Sequence, residues 1–209
     1  LRQAGFSIHY YAHTHKGSKV LETARVILRP FVIADTNAMF KYASDPETTR
    51  FMRFSPHKSV QETAELLTIW EEEAKKPTFY NWAVVCKDCN EVIGSIGMVD
   101  VNEYHSQADV GYIIRKDHWG KGIMTECLRR VIQYCFEELN FNRLEACHAV
   151  ENPASGRVMK KAGMKEEGVK RQYFPTDHGY IDTVMYAITR SDYLGYNCLL
   201  TNTHTLVTN

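Results

Sequence analysis

The chain has 209 residues, 44% of them hydrophobic and 24% charged, which suits one globular domain with a sizeable core. Its 25 basic and 25 acidic residues cancel, which argues against a broad nucleic-acid or anionic-membrane surface and leaves room for a local basic patch. No apolar run approaches the roughly 18 residues of a membrane-spanning helix, and the first twenty residues lack the apolar stretch of a secretory signal, so a cytoplasmic location with no nucleic-acid and no membrane partner is expected.

Residues 1–22 show no period and read as a peripheral extension. His9, His13 and His15 lie in it as incidental histidines. Arg25–Pro30 reads as a first strand stopped by its proline. Asp35 or Thr36 caps a helix through Met39, Phe40 and Ala43, which ends at Asp45-Pro46 because a residue before proline avoids the helical region. Ser59-Val-Gln-Glu62 is a capping box, and Leu66, Leu67 and Trp70 follow at helical spacing. Tyr80–Cys86 and Val92–Val99 read as strands joined by the polar turn Lys87–Glu91, and Ala108–Arg115 as the next strand.

The strongest helix follows Gly122. Ile123, Cys127, Val131, Cys135 and Leu139 form one apolar stripe, widened by Leu128, Ile132 and Phe136. Leu144–Val150 is a strand. Asn152-Pro153 opens a short helix with an N-cap and a proline at its first position, and Gly163 closes it. Met164–Tyr173 and Tyr180–Thr189 form a final hairpin, and the tail from residue 195 to 209 is polar and without period. The order β-α-α-β-β-β-α-β-α-β-β implies an α/β (mixed α+β) fold, a mixed sheet with helices on its faces.

Six cysteines are present: Cys86, Cys89, Cys127, Cys135, Cys147 and Cys198. Only Cys86-Lys-Asp-Cys89 has metal-type spacing, and with no second CxxC it reads as a pair of reduced thiols in a turn, so no metal is expected. Cys127 and Cys135 belong to the buried stripe. Cys147 and His148 are adjacent in a strand and point to opposite faces, which argues against a Cys–His nucleophile.

Chemistry concentrates at Trp119-Gly120-Lys121-Gly122, between a strand and the long helix. Glycines let a backbone approach a ligand closely, and a helix N-terminus adds unpaired N–H groups and a positive dipole end. The combination suits a diphosphate. It is not a Walker loop, since Arg115 stands where the first glycine belongs and Gly122 where Ser or Thr does. It is not a dinucleotide fingerprint, which needs Gly or Ala at Thr125 and a parallel βαβ unit.

The run Ile113-Ile-Arg-Lys-Asp-His-Trp-Gly-Lys-Gly-Ile-Met-Thr-Glu126 resembles motif A of the GNAT superfamily of N-acetyltransferases, in particular its RimJ/RimL-type branch, whose members acetylate the N-termini of ribosomal proteins. Leu21–Pro30, Glu151–Gly163 and Tyr180–Tyr186 resemble that branch's opening strand, its Asn-x-x-Ser…Gly segment and its last strand, so the likeness spans about 22–194. It implies a catalytic domain over 23–194 and a twisted, mostly antiparallel sheet of about seven strands. That sheet is splayed between the fourth and fifth strands, here Ala108–Arg115 and Leu144–Val150, and flanked by about four helices.

The likeness also implies acetyl-coenzyme A (CoA) as cosubstrate and an amine acceptor, either a protein N-terminus or a small molecule such as an amino acid, polyamine or aminoglycoside. A homodimer is compatible with it. Backbone groups of Ile113 and Ile114 are implied to bind the pantetheine arm, and amides of Trp119, Gly120, Lys121, Gly122, Ile123 and Met124 the pyrophosphate. Asn152 is implied to bind the arm as it leaves the splay, and Ser155 to lie near the cofactor sulfur. One departure is Asp117, where the family carries Gln or Arg; Arg115, Lys116 or Lys121 can supply the missing cation.

Direct acetyl transfer needs a base for the ammonium proton and an acid for the departing thiolate. Ser155 is the first acid candidate and Tyr173 the second. The glutamate assigned as base in the Rim-type branch is replaced here by Tyr173, which leaves Asp109 beside the splay, followed by Asp100, Glu103, His105 and Asp182. Loss of that glutamate also fits a CoA-binding sensor without turnover.

Overall fold

The computed structural model describes residues 13–176 and 179–195; His9, Cys198 and the tail from residue 196 lie outside the described residues. Eight strands form one sheet: β1 (Leu21–Glu22), β2 (Val26–Arg29), β3 (Asn81–Cys86), β4 (Glu91–Asn102), β5 (Gln107–Ile114), β6 (Arg143–Ala149), β7 (Lys165–Thr176) and β8 (Gly179–Thr189). Their order is β1-β2-β3-β4-β5-β6-β8-β7. Every neighbouring pair is antiparallel except β5–β6, which is parallel. The sheet has one strand more than the sequence predicts because Leu21 and Glu22 pair with Leu28 and Ile27 at its edge.

The helices are α1 (Thr36–Ala43), α2 (Pro46–Thr49), α3 (Val60–Glu73), α4 (Ile123–Glu137) and α5 (Pro153–Lys161), with 3₁₀ turns at Ile33–Asp35 and Lys116–His118. α2 is a correction to the sequence expectation. Asp45-Pro46 does end α1, but Asp45 also accepts a hydrogen bond from the Glu47 amide at 3.1 Å and restarts the chain as a short helix with proline at its first turn. Ser59 caps α3 as expected, accepting from the Glu62 amide at 3.1 Å, while Glu62 reaches back to the Lys58 amide at 2.7 Å.

α4 and α5 cover one face of the sheet. The whole predicted stripe of α4 is buried there, against Val26, Leu28, Trp82, Val84, Ile93, Val110 and Leu144. Each such side chain removed from water contributes about 1.5–3 kcal/mol, so the stripe holds the start of α4 firmly in place. α1 and α3 cover the other face, with Met39, Tyr42 and Leu67 packed on Ala83, Val85, Val92 and Ile113. β3 is buried on both faces, which is why it reads as a continuous apolar run. No helix among the described residues is long and apolar enough to cross a membrane.

Two local features place the site. β4 runs on past Val99 to Asn102, because a bulge between Met98 and Asp100 lets residues 100–102 pair with 107–109. Residues 13–20 are held against the domain: the Gly17 amide donates to the Pro77 carbonyl at 2.8 Å, Tyr134 donates to the Gly17 carbonyl at 2.9 Å, and the His13 ring stacks on Phe141 at 4.8 Å. His15 bonds Tyr80, His13 and Glu103 at 3.0, 3.2 and 3.3 Å, so these two histidines do have a fold around them.

Candidate active site

The parallel ladder between β5 and β6 carries three residue pairs, Gln107–Arg143, Ala108–Leu144 and Asp109–Glu145, and then stops. Beyond it, β5 continues to Ile114 bonded to β4, and β6 continues to Ala149 bonded to β8. The facing edges from Val110 and Ala146 onward therefore diverge without a ladder between them. The β4 bulge lies opposite Asp109 and Val110, where the divergence begins, and bulges add local twist and bend. A wedge with backbone polar groups on both walls results, and such groups call for a partner.

At the open end of β5 the chain turns through Trp119–Gly122 into α4. Gly120 and Gly122 have φ of +72° and +75°, the left-handed region that side chains rarely adopt. Gly122 is the N-cap of α4 and offers the first-turn amides of the helix no side-chain cap. The turn is pinned on two sides. The Trp119 indole donates to the Ile114 carbonyl at 2.8 Å, and Arg25 donates to the Lys121 carbonyl at 2.8 Å. Arg25 is itself fixed by Glu126, through its amide at 3.0 Å and Nε at 2.7 Å.

Asp117, the departure from the family pattern, holds Arg115 at 2.7 and 3.0 Å and His118 Nδ1 at 2.9 Å. Arg115 and then His118 keep its carboxyl well below the usual carboxylate range. Arg115 is also paired with Glu91 at 2.8 Å, and Lys116 with Glu47. The Lys121 side chain makes no ion pair or hydrogen bond with any described residue. Of the three cations considered for the missing position, it alone is free to meet an anion at the turn.

The wall of the wedge carries a hydroxyl pair. Tyr112 Oη lies 2.9 Å from Ser155 Oγ and donates to the Ser155 carbonyl at 3.1 Å. Burial pushes the Tyr112 phenol well up, so it stays protonated. Asn152 caps α5, accepting from the Ser155 amide at 3.4 Å, as its sequence position predicts. Asn152→Ala should lower stability by about 1 kcal/mol through loss of the cap, read as a lower denaturant midpoint. A fall in CoA affinity measured beside it would add the binding role; unchanged affinity would leave the cap alone.

On the opposite face, at the vertex of the wedge, stands Asp109. It is half-buried between Asp100 on β4 and Glu145 on β6. Burial, then Glu145, then Asp100 raise its pKa, while Arg53 and Lys170 pull it down. Arg53 also reaches Cys147 and lies over the Phe174 ring at 4.8 Å. The other sequence candidates scatter. Tyr173 is exposed on the bulged part of β7 beneath the Lys170 ammonium at 4.3 Å. Glu103 holds His15, His105 edges on Tyr104, and Asp182 accepts from the Gln172 amide at 2.8 Å. The side chain of Ile113 packs under α1 and α3, so it offers the wedge backbone groups only.

Arg25, Arg53, Tyr112, Glu145 and Lys170 escape sequence reasoning. Tyr112 meets Ser155 across 43 residues and Arg25 meets Lys121 across 96, and no local pattern announces contacts of that range. Cys147 and His148 do point to opposite faces: Cys147 lies on the Asp109 side, while His148 is buried against Gly156 of α5.

The chain resembles known proteins in sequence and in fold. Residues 25–165 match the family model described as an acetyltransferase (GNAT) domain. The uncharacterised N-acetyltransferase YoaA of Bacillus subtilis is 31% identical over 171 residues, covering 82% of this chain and 97% of its own. A putative ribosomal N-acetyltransferase of the same bacterium, YdaF, is 35% identical over 102 residues, 49% of this chain and 56% of its own. The crystal structure of spermidine N-acetyltransferase from Vibrio cholerae in complex with CoA and spermine shares the fold, with a TM-score of 0.70 at 24% identity over 82% of this chain and 99% of that one. The wedge, the glycine turn and these matches agree that the chain belongs to the GNAT family of acetyltransferases.

Proposed function

We propose that the protein transfers the acetyl group of acetyl-CoA to a primary amine by direct attack, with a protein N-terminal amine as the acceptor. The observation that carries the donor is the wedge between β5 and β6 with a glycine turn at its mouth. The residues fit that donor. A Cβ at Gly120 would meet nothing within 4 Å, so the turn is open to a ligand, and the first-turn amides of α4 with Lys121 suit a diphosphate. Trp119 to Met124 hold the diphosphate, backbone groups of Ile113 and Ile114 hold the pantetheine arm, and Asn152 and Ser155 line its exit. The bound cosubstrate supplies an activated thioester acyl group.

The chain's own groups manage the protons. Asp109, at the vertex, accepts a proton from the acceptor's ammonium; its raised pKa makes it a better base than an ordinary aspartate. Ser155 and Tyr112 share a hydrogen bond, and Tyr112 has a single hydroxyl proton to give. When Tyr112 turns it toward Ser155 Oγ, the serine proton is released to the wedge for the departing sulfur. Tyr173, exposed and beneath Lys170, flanks the acceptor path.

The acceptor class rests on the shape of the far wall. β7 is exposed along most of its twelve residues, which leaves the Asp109 side open for an extended chain. The name of the putative ribosomal relative agrees with a protein acceptor. A second reading, a polyamine or other small amine, draws on Asp100, Asp109 and Glu145, whose carboxylates gather at the vertex, and on the spermine-bound neighbour. Thiol release from acetyl-CoA, followed with N-terminal peptides and polyamines side by side, separates the two. A higher kcat/KM for peptides is expected. A higher value for polyamines would replace the protein acceptor, and CoA binding without turnover on either panel would turn the reading into a sensor.

A further inference from the structure

We propose that Cys86, Cys89 and His118 form a binding site for a soft divalent cation of the zinc class. It fastens the segment leading into the glycine turn to the β3–β4 hairpin. The site is independent of the acetyl-transfer reading.

Three observations converge. First, one ligand atom from each of the three side chains lies within 4.8 Å of the others. In a tetrahedral site with zinc–sulfur distances of about 2.3 Å and zinc–nitrogen of about 2.0 Å, ligand atoms stand roughly 3.5–3.8 Å apart, so a small contraction closes the set. Both sulfurs are free thiols, and Cys89 is exposed, so an ion can enter.

Second, the Cys86-Lys87-Asp88-Cys89 turn has the hydrogen-bonding form of a metal knuckle. The backbone amides of Asp88 and Cys89 point at the Cys86 sulfur, and the amide of Glu91 at the Cys89 sulfur. Asn90, directly after the second cysteine, has φ of +53°, which folds the chain so that these amides converge on sulfur. Amide donors aimed at both sulfurs supply the outer-shell hydrogen bonds that hold metal-ligating sulfurs in place.

Third, His118 is prepared as a ligand. Its Nδ1 is held by Asp117 at 2.9 Å, which fixes the ring and leaves Nε2 as the coordinating atom. A carboxylate behind a metal-bound imidazole is the usual outer-shell arrangement, and it raises the basicity of the ligand nitrogen. This gives Asp117 a task at the position where the resemblance leads one to expect Gln or Arg. Two thiolates and one imidazole select zinc over harder cations, and three protein ligands leave a fourth position to solvent.

The test uses the full chain, reduced and stripped of metal by chelation, titrated with Co²⁺. One cobalt per chain is expected, with a thiolate-to-cobalt charge-transfer band and the intense visible bands of tetrahedral cobalt, both abolished by added Zn²⁺. Cys89→Ser, at an exposed position, should cut the charge-transfer intensity and weaken binding while circular dichroism stays native. His118→Ala should weaken binding as well. Asp117→Asn should weaken it by about 10–100-fold and keep the sulfur band, the mark of a positioning residue. The proposal is overturned if the reduced chain gives no charge-transfer band. It is equally overturned if the band survives in Cys89→Ser and His118→Ala with unchanged affinity, or if the two thiols close to a disulfide in preference to taking up zinc.

Discussion

Asp109→Asn should slow acetyl transfer by about 10²–10⁴-fold, the usual worth of a positioned general base, and leave acetyl-CoA affinity unchanged. Asp109 occupies the last laddered pair of β5 and β6, so its backbone is fixed while its side chain stands where the strands part. Burial and the neighbouring carboxylates Glu145 and Asp100 raise its pKa, against the opposing charges of Arg53 and Lys170. A rate that depends on the ionised form therefore rises as pH climbs through this elevated pKa. The asparagine variant should lose that limb of the profile.

Stability should move the other way. Because the folded pKa lies above the unfolded one, the folded chain binds the proton more tightly. The stability this gives is complete below the unfolded pKa and is lost as pH rises through the folded pKa. Asparagine cannot ionise, so the variant should be at least as stable as the wild type at neutral pH. A carboxylate kept for structure would cost stability when replaced. A wild-type kcat in Asp109→Asn, measured with an accepted amine, would remove Asp109 from the mechanism and return attention to Tyr173.

What was legible in the sequence follows the range of the interactions. The α4 stripe, the Asn152 cap and the two glycines are local signals, set by helical spacing and backbone freedom, and each stands where the pattern predicts. The extension of β4 past Val99 was not legible. Asp100-Val-Asn reads as loop on its own and becomes strand through its partners on β5. Neither was the fate of the cations. Arg115 and Lys116 look as available as Lys121 in the sequence, but Glu91, Asp117 and Glu47 claim the first two from distant or looped positions. Likewise CxxC alone is a weak metal signal, and His118 becomes its companion only when the segment before the glycine turn folds over the β3–β4 hairpin.

Gly122→Val should lower acetyl-CoA affinity by about fivefold or more. Valine is β-branched, and holding it at φ of +75° costs about 1–3 kcal/mol; each 1.4 kcal/mol that ligand binding must supply is a factor of ten. Space is not the cause. A Cβ at Gly122 would find Arg25 Nη2 at 3.7 Å, an ordinary contact. The strain is therefore relieved by rotation of the backbone, and rotation turns the amides of the cap away from a common point. The loss should depend on the diphosphate of the donor. With acetyl-pantetheine, which lacks that group, the variant and the wild type should transfer acetyl with the same kcat/KM, since the wedge, Asp109 and the Tyr112–Ser155 pair are untouched. Equal losses with both donors would mean that valine damaged the start of α4 itself. Unchanged affinity for acetyl-CoA would show that the turn at Gly120–Gly122 does not hold the diphosphate, and the amides of α4 would need another occupant.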